Sequence, residues 1–159
     1  MATKTLITAE QYLSTHFERE PELVRGEIVE RPLPNNTHSE IQQRLSVLLD
    51  RTGFCRPELR MRVAQDTYRL PDMAVFERRP PGEVPDSPPF LIVEIVSLDD
   101  RHRDLMHKLQ DYRAWGVPNI WIVDPELKLL YVYDSGLLER DRLELPHLGF
   151  SVAPNDLFN

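Results

Sequence analysis

Two acids and a lysine are placed to do chemistry together: Asp72 in Leu70-Pro71-Asp72, Glu94 inside Phe90-Leu-Ile-Val-Glu94-Ile-Val-Ser97, and Lys108 beyond them. Phe90 to Val96 is a continuous β-rich apolar run, the pattern of a strand buried on both faces, and Glu94 interrupts it near its C-terminal end. An isolated carboxylate there is strongly disfavoured or takes up a proton, so it calls for a cationic partner or a metal ion. Asp72 opens a second strand-like segment, Met73 to Glu77, and Pro71 holds the backbone extended before it. Pairing of the two strands brings the two carboxylates together.

Lys108 belongs to a helix expected from about Arg101 to Trp115, with Asp99 or Asp100 as N-cap, Gly116 as the stop and Pro118 beyond. Leu105, Leu109, Tyr112 and Trp115 share one arc of that helix, and Lys108 lies inside the arc, so its side chain points toward the sheet. Upstream, Thr8-Ala-Glu-Gln11 is a capping box opening a short helix, with Leu6 or Ile7 as a staple. Leu23 to Val29 reads as a strand or bent hairpin turning at Gly26, which puts Glu27 beside the bend as a turn residue or, alternatively, a site residue. Thr37-His-Ser-Glu40 forms a second capping box before the apolar stripe Ile41, Leu45, Leu48 and Leu49. On that helix His38 lies near the stripe and Glu40 points away, so His38 is the auxiliary candidate, with a structural role as the alternative.

Phe54 to Leu59 and Met61 to Tyr68 read as two strands joined by a turn near Arg60, and the proline-rich stretch Arg78 to Pro89 as an exposed loop. Ile120 to Val123 and Leu129 to Tyr133 are further strands, Asp124 a turn residue, and the tail a last strand with a terminal helical turn. This order fits an α/β fold with a central mixed β-sheet flanked by helices, built as one domain over residues 1–159.

The chain has 159 residues, 41% of them hydrophobic, and a net charge of −7, which argues against coating nucleic acid through the whole surface. Local patches remain: Arg51, Arg56, Arg60, Arg62 and Arg69 precede Asp72, and Arg101, Arg103 and Arg113 lie on the Lys108 helix, either facing phosphates or forming a solvated face. One cysteine, no signal-peptide pattern and no bilayer-length apolar run lead to the expectation of a cytoplasmic protein without membrane association. Cys55 has no recognisable helper, there is no Gly-rich phosphate loop, and His102 and His107 fall off one helical face, so thiol, P-loop and zinc chemistry are not suggested.

Pro71-Asp72, Glu94 on its apolar strand, Asp104, Lys108 and Gly116-Val-Pro-Asn-Ile-Trp-Ile-Val-Asp124-Pro125 resemble the Uma-two family of putative restriction endonucleases, within the PD-(D/E)XK nuclease superfamily. The likeness extends to Glu22-Leu-Val-Arg-Gly26-Glu27, Gly149-Phe150 and Leu157-Phe158, and so covers most of the chain. The superfamily's usual lysine stands two residues after the glutamate, where this chain has Val96; Uma-two members supply it from the following helix, here Lys108. Leu98-Asp99 stands where relatives commonly show Pro-Ser.

The resemblance implies a restriction-endonuclease-like fold with an N-terminal helix and hairpin extension, and metal-dependent hydrolysis of DNA. Such hydrolysis needs a hard divalent cation, Mg²⁺ or Mn²⁺, for which Asp72, Glu94 and the backbone carbonyl of Ile95 are the expected ligands. Lys108 would orient the water or stabilise phosphate oxygens, and Asp104, one turn earlier, either holds the ammonium or makes only a surface pair. A homodimer would present two such sites to a duplex. The alternative is an accessory domain of the same fold that binds nucleic acid with little or no hydrolysis, or a non-enzymatic assembly module.

Overall fold

Both faces of the Phe90–Val96 run are covered, and a different helix covers each. The computed structural model describes residues 3–97 and 100–159. In chain order its elements are α1 (Ala9–Ser14), β1 (Glu22–Val24), β2 (Glu27–Val29), α2 (Asn36–Leu49), β3 (Phe54–Pro57), β4 (Met61–Ala64), β5 (Thr67–Arg69), β6 (Met73–Phe76), β7 (Leu91–Ile95), α3 (His102–Trp115), β8 (Asn119–Asp124), β9 (Leu129–Tyr133), β10 (Leu137–Arg140), β11 (Leu143–Leu145), β12 (Phe150–Val152) and α4 (Pro154–Phe158). The large sheet runs β10-β9-β8-β7-β6-β3, a smaller one β2-β1-β5-β4, and β11 pairs with β12. Among the described residues only β7 and β8 pair in parallel, joined by the α3 crossover; their other neighbours are antiparallel, so the central sheet is mixed. No helix among the described residues is long and apolar enough to cross a membrane.

Strand period divides the core. Leu91, Val93 and Ile95 point into one cluster with Ile41, Leu45 and Leu49 of α2, while Ile92 packs in a second cluster with Leu109 and Tyr112 of α3. Glu94 alternates onto the Ile92 side and is therefore directed at α3, the helix that carries Lys108. β6 repeats the arrangement, Met73 and Val75 facing α2, Ala74 and Phe76 facing α3.

Local signals act as expected at several ends. Thr8 and Gln11 make the capping box of α1. Gly116 closes α3 in the left-handed region at φ 106°, its N–H returning to Tyr112 O and Arg113 O. Arg25 and Gly26 both have positive φ, 51° and 80°, the two-residue turn whose twist matches the β1–β2 hairpin.

Other expectations are corrected. The N-cap of α2 is Asn35, whose side chain accepts the His38 N–H, so the helix begins ahead of the Thr37 box. The N-cap position of α3 is Arg101; Asp100 instead accepts the Ser97 N–H at 2.7 Å, closing the preceding turn, and Asp99 lies outside the described residues. Phe54–Pro57 and Met61–Ala64 are not partners: β3 pairs with β6 at the edge of the large sheet, and β4 pairs with β5 in the small one. Glu58 takes φ 50° between them and swings the chain from one sheet to the other. Met61–Tyr68, expected as one strand, is folded on itself at Gln65-Asp66, and β10 adds a strand beyond those expected.

Gly53 joins α2 to β3 at a point where a Cβ would lie 2.3 Å from the Phe76 carbonyl oxygen. Gly53→Ala is expected to destabilise the chain by about 1–3 kcal/mol through overpacking. A denaturant midpoint equal to wild type would show that this junction moves aside freely.

Candidate active site

Asp72 ends the segment that leads from the small sheet into β6, and the register Met73↔Val93 sets it beside Glu94 on the neighbouring strand. Both are buried, 8% and 4% exposed, in a chain whose other acids are mostly at the surface. Asp72 Oδ2 accepts the Ile95 N–H at 2.7 Å, and Oδ1 lies 3.1 Å from His38 Nε2. Gln42 of α2 donates to the Asp72 carbonyl at 2.9 Å. Glu94 Oε1 accepts from the Tyr112 hydroxyl at 2.7 Å, and Oε2 lies 3.6 Å from Lys108 Nζ.

Lys108 does point inward from α3, as its place on the helix requires. Its nearer partner is Glu22 of β1, at 3.2 Å. Asp104 is exposed and does not pair with the ammonium; it lies on the rim of an adjoining groove of about 290 Å³, with Arg31, Arg69 and Arg101. Glu27 is also away from this centre, in an ion pair with Lys4 at 3.1 Å. Of the expected site residues, Asp72, Glu94, Ile95, Lys108 and His38 meet at one cleft of about 30 Å³, room for an ion or a water or two. Arg19 and Arg31 line the same cleft.

Sequence reasoning gave no role here to Glu22, Tyr112, Arg19 or Arg31. Glu22 enters the sequence reading only through the family likeness and Tyr112 only as a core position, because no short-range pattern links Glu22 to Lys108 or Tyr112 to Glu94. Conversely, most of the arginines before Asp72 are engaged in the fold. Arg69 is buried against Asp111 at 2.6 Å, Arg60 pairs with Glu20 at 3.2 Å, and Arg51 and Arg56 lie over the Phe150 and Phe54 rings.

The electrostatics follow from burial. Glu94 is pushed up to about 8, first by desolvation and then by the charges of Asp72 and Glu22, against the opposing pull of Lys108 and the Tyr112 hydroxyl. Asp72 goes the other way: desolvation raises it, but the His38 hydrogen bond and charge, Lys108 and the Ile95 N–H together hold it below the usual carboxylate range. Burial would pull Lys108 down, yet Glu22, Glu94 and Asp72 outweigh it and keep the ammonium charged. His38 is raised chiefly by its hydrogen bond to Asp72, while its Nδ1 is buried without a hydrogen-bond partner among the described residues.

These shifts set a pH dependence of stability. Between the ordinary glutamate value of 4.5 and about 8, folded Glu94 holds a proton that the unfolded chain releases, so stability falls as pH rises through that window. His38 has the same sign, its contribution full below 6.5 and lost as pH passes its higher folded value. Asp72 is opposite, its contribution present above 3.8 and lost as pH falls toward its lower folded value. With chelator present, Glu94→Gln is therefore expected to flatten the decline between pH 4.5 and 8 in denaturant titrations. An unaltered slope in the variant would assign the decline to other groups, His38 first.

Residues 9–153 match the model of a family described as "Uma2: Putative restriction endonuclease". Comparison with curated proteins returned no match. Among solved structures, the crystal structure of a putative nuclease from Anabaena variabilis resembles this chain with a TM-score of 0.76 and 23% identity, covering 96% of this chain and 97% of that one. At that identity the likeness establishes the fold, a mixed α/β architecture shared from end to end.

Proposed function

The chain belongs to the Uma2 family of putative restriction endonucleases, and from that premise we propose that it is a metal-dependent endonuclease hydrolysing phosphodiester bonds of DNA at the Asp72–Glu94 cleft. The observation that carries this reading is the meeting of two buried carboxylates, Asp72 immediately before β6 and Glu94 on the neighbouring β7, with a lysine ammonium 3.6 Å from the second. Structural ion networks also bury charges, but this one lines an open cleft and sets Glu94 beside the charges of Asp72 and Glu22, an arrangement that suits a cation between them.

The donors suit a hard cation. Among the described residues no three or more His, Cys, Asp or Glu side chains form a ready metal cage. Mg²⁺ does not require one, since it is commonly held by one or two carboxylates with waters and substrate phosphate completing the shell. Asp72 and Glu94 would hold Mg²⁺ or Mn²⁺, with the Ile95 carbonyl as a third ligand. When bound, the ion supplies a water of lowered pKa and neutralises charge on the phosphate.

The chain's own groups do the rest. His38 and the Ile95 N–H orient the Asp72 carboxylate, and the Tyr112 hydroxyl fixes one Glu94 oxygen so that the other is turned toward Lys108. Lys108 presents a fixed positive charge where the phosphorane oxygens gain negative charge. Arg101 at the adjoining groove offers a contact to a flanking phosphate, whereas at the cleft Arg31 is held by Glu58 at 2.8 Å and Arg19 by the carbonyls of Arg31 and Pro32. We propose a two-fold dimer for double-strand cleavage; light scattering showing only monomer would restrict the activity to nicking.

Supercoiled plasmid incubated with Mg²⁺ or Mn²⁺ is expected to yield nicked or linear products that vanish with chelator. Tight DNA binding without cleavage in either metal would favour the accessory-domain reading instead.

A further inference from the structure

Glu22 is the acid that ties the small sheet to this cleft. Its side chain is 3% exposed, and Oε2 accepts the Leu70 N–H at 3.1 Å, in the segment that runs directly into Pro71-Asp72. Oε1 lies 3.2 Å from Lys108 Nζ and 3.8 Å from the Arg69 guanidinium. Arg69 in turn is drawn to Asp111 at 2.6 Å, which leaves Lys108 as the closer cation of Glu22. Lys108 thus stands between two carboxylates and nearer to the one that is not a proposed ligand, 3.2 Å against 3.6 Å.

We propose that Glu22 is a positioning residue that anchors the Lys108 ammonium on the β1 side of the cleft, leaving an oxygen of Glu94 free for a divalent cation. A lysine and a metal ion compete for one carboxylate, because each supplies the positive charge that the buried oxygen requires. A second anion beside the lysine lets both cations stay: Lys108 is held without occupying Glu94, and its charge remains within reach of a substrate phosphate. The backbone bond to Leu70 makes the anchor rigid, since the same short segment fixes Glu22 and the approach to Asp72. The inference deepens the nuclease reading and rests on it for the role of Glu94, so its test has one arm that needs neither metal nor activity.

Lys4, Lys108 and Lys128 are the chain's three lysines, which makes ammonium NMR of ¹⁵N-lysine-labelled, metal-free protein readable. Lys108 is expected to give one exchange-protected ammonium signal, lost in Glu22→Gln and kept in Glu94→Gln. Gln at position 22 still accepts the Leu70 N–H, so a merely structural Glu22 would leave the signal unchanged. Retention in Glu22→Gln with loss in Glu94→Gln overturns the proposal, and if Glu22→Gln does not fold, loss in Glu94→Gln alone does so. In the second arm, Mn²⁺ calorimetry, Glu22→Gln is expected to weaken binding about tenfold, equivalent to about 1.4 kcal/mol, and to have no further effect in a Lys108→Met background. Weakening in both backgrounds makes Glu22 a ligand, and weakening in neither removes its influence on the ion; either result overturns the proposal. Failure of the wild-type chain to bind Mn²⁺ overturns the nuclease reading, while the NMR arm still decides whether Glu22 anchors Lys108.

Discussion

Glu94→Gln is expected to abolish useful divalent-ion binding while the chain remains folded. The substitution preserves volume and leaves an amide oxygen to accept from Tyr112, whose hydroxyl now donates to Glu94 Oε1 at 2.7 Å. It also removes a negative charge crowded by Asp72 and Glu22, the crowding that helps push Glu94 up to about 8. The folded chain therefore no longer has to take up a proton at this position, and metal-free stability near neutral pH should rise. What disappears is the charge that attracts the cation: Mn²⁺ affinity by calorimetry should fall about 100-fold or more, equivalent to about 2.7 kcal/mol, and cleavage should fall with it. Unchanged affinity in a well-folded variant would make Glu94 a structural ion-pair partner and take the metal site away from this cleft.

Lys108→Met is expected to separate binding from turnover. Methionine replaces the apolar stem that packs along α3 but not the ammonium. At saturating Mn²⁺ the rate should drop by roughly 10²–10³-fold, the usual cost of removing one preorganised charge partner from a transition state, while metal affinity is kept. The folded protein pays for this change as well, because Glu22 and Glu94 lose the cation that lies 3.2 and 3.6 Å from them. Breaking a buried pair can cost about 3–5 kcal/mol, reduced here by Arg69, which stays beside Glu22, and by Glu94, which without metal already holds a proton below about pH 8. Rates must accordingly be compared at matched folded fraction. Equal turnover in the variant and wild type under that condition would sink the lysine's catalytic role and leave the accessory-domain reading ahead.

The parts of the candidate site that sequence reading reached were those written in short-range patterns. Glu94 was conspicuous because a carboxylate breaks an apolar strand, Asp72 because Pro71-Asp72 heads the next one, and Lys108 because it sits on the apolar arc of its helix. His38 emerged from its angle on the α2 wheel, and the structure places its Nε2 3.1 Å from Asp72. Asp104 and Glu27 were nominated on proximity in sequence to Lys108 and to the Gly26 bend. Both proximities misled: a residue one helical turn from Lys108 can still face solvent, and Glu27 has Lys4 beside it.

By itself the sequence determined where elements start, stop and hide their faces: the Thr8 cap, the bend at Gly26, the Gly116 stop, and the burial of β7 around Glu94. These depend on dihedral preference, capping and periodicity, forces that act over a few residues. Tertiary structure alone decided that Met61–Ala64 leaves β3 for another sheet, and so decided what that second sheet brings to the cleft. From there Glu22 reaches Lys108, Arg69 is turned toward Asp111 rather than a phosphate, and Tyr112 of α3 caps Glu94. The physical reason is that a buried charge must find its partner wherever packing puts one, and the packing of two sheets against one helix brings together residues whose sequence neighbours carry no trace of the meeting.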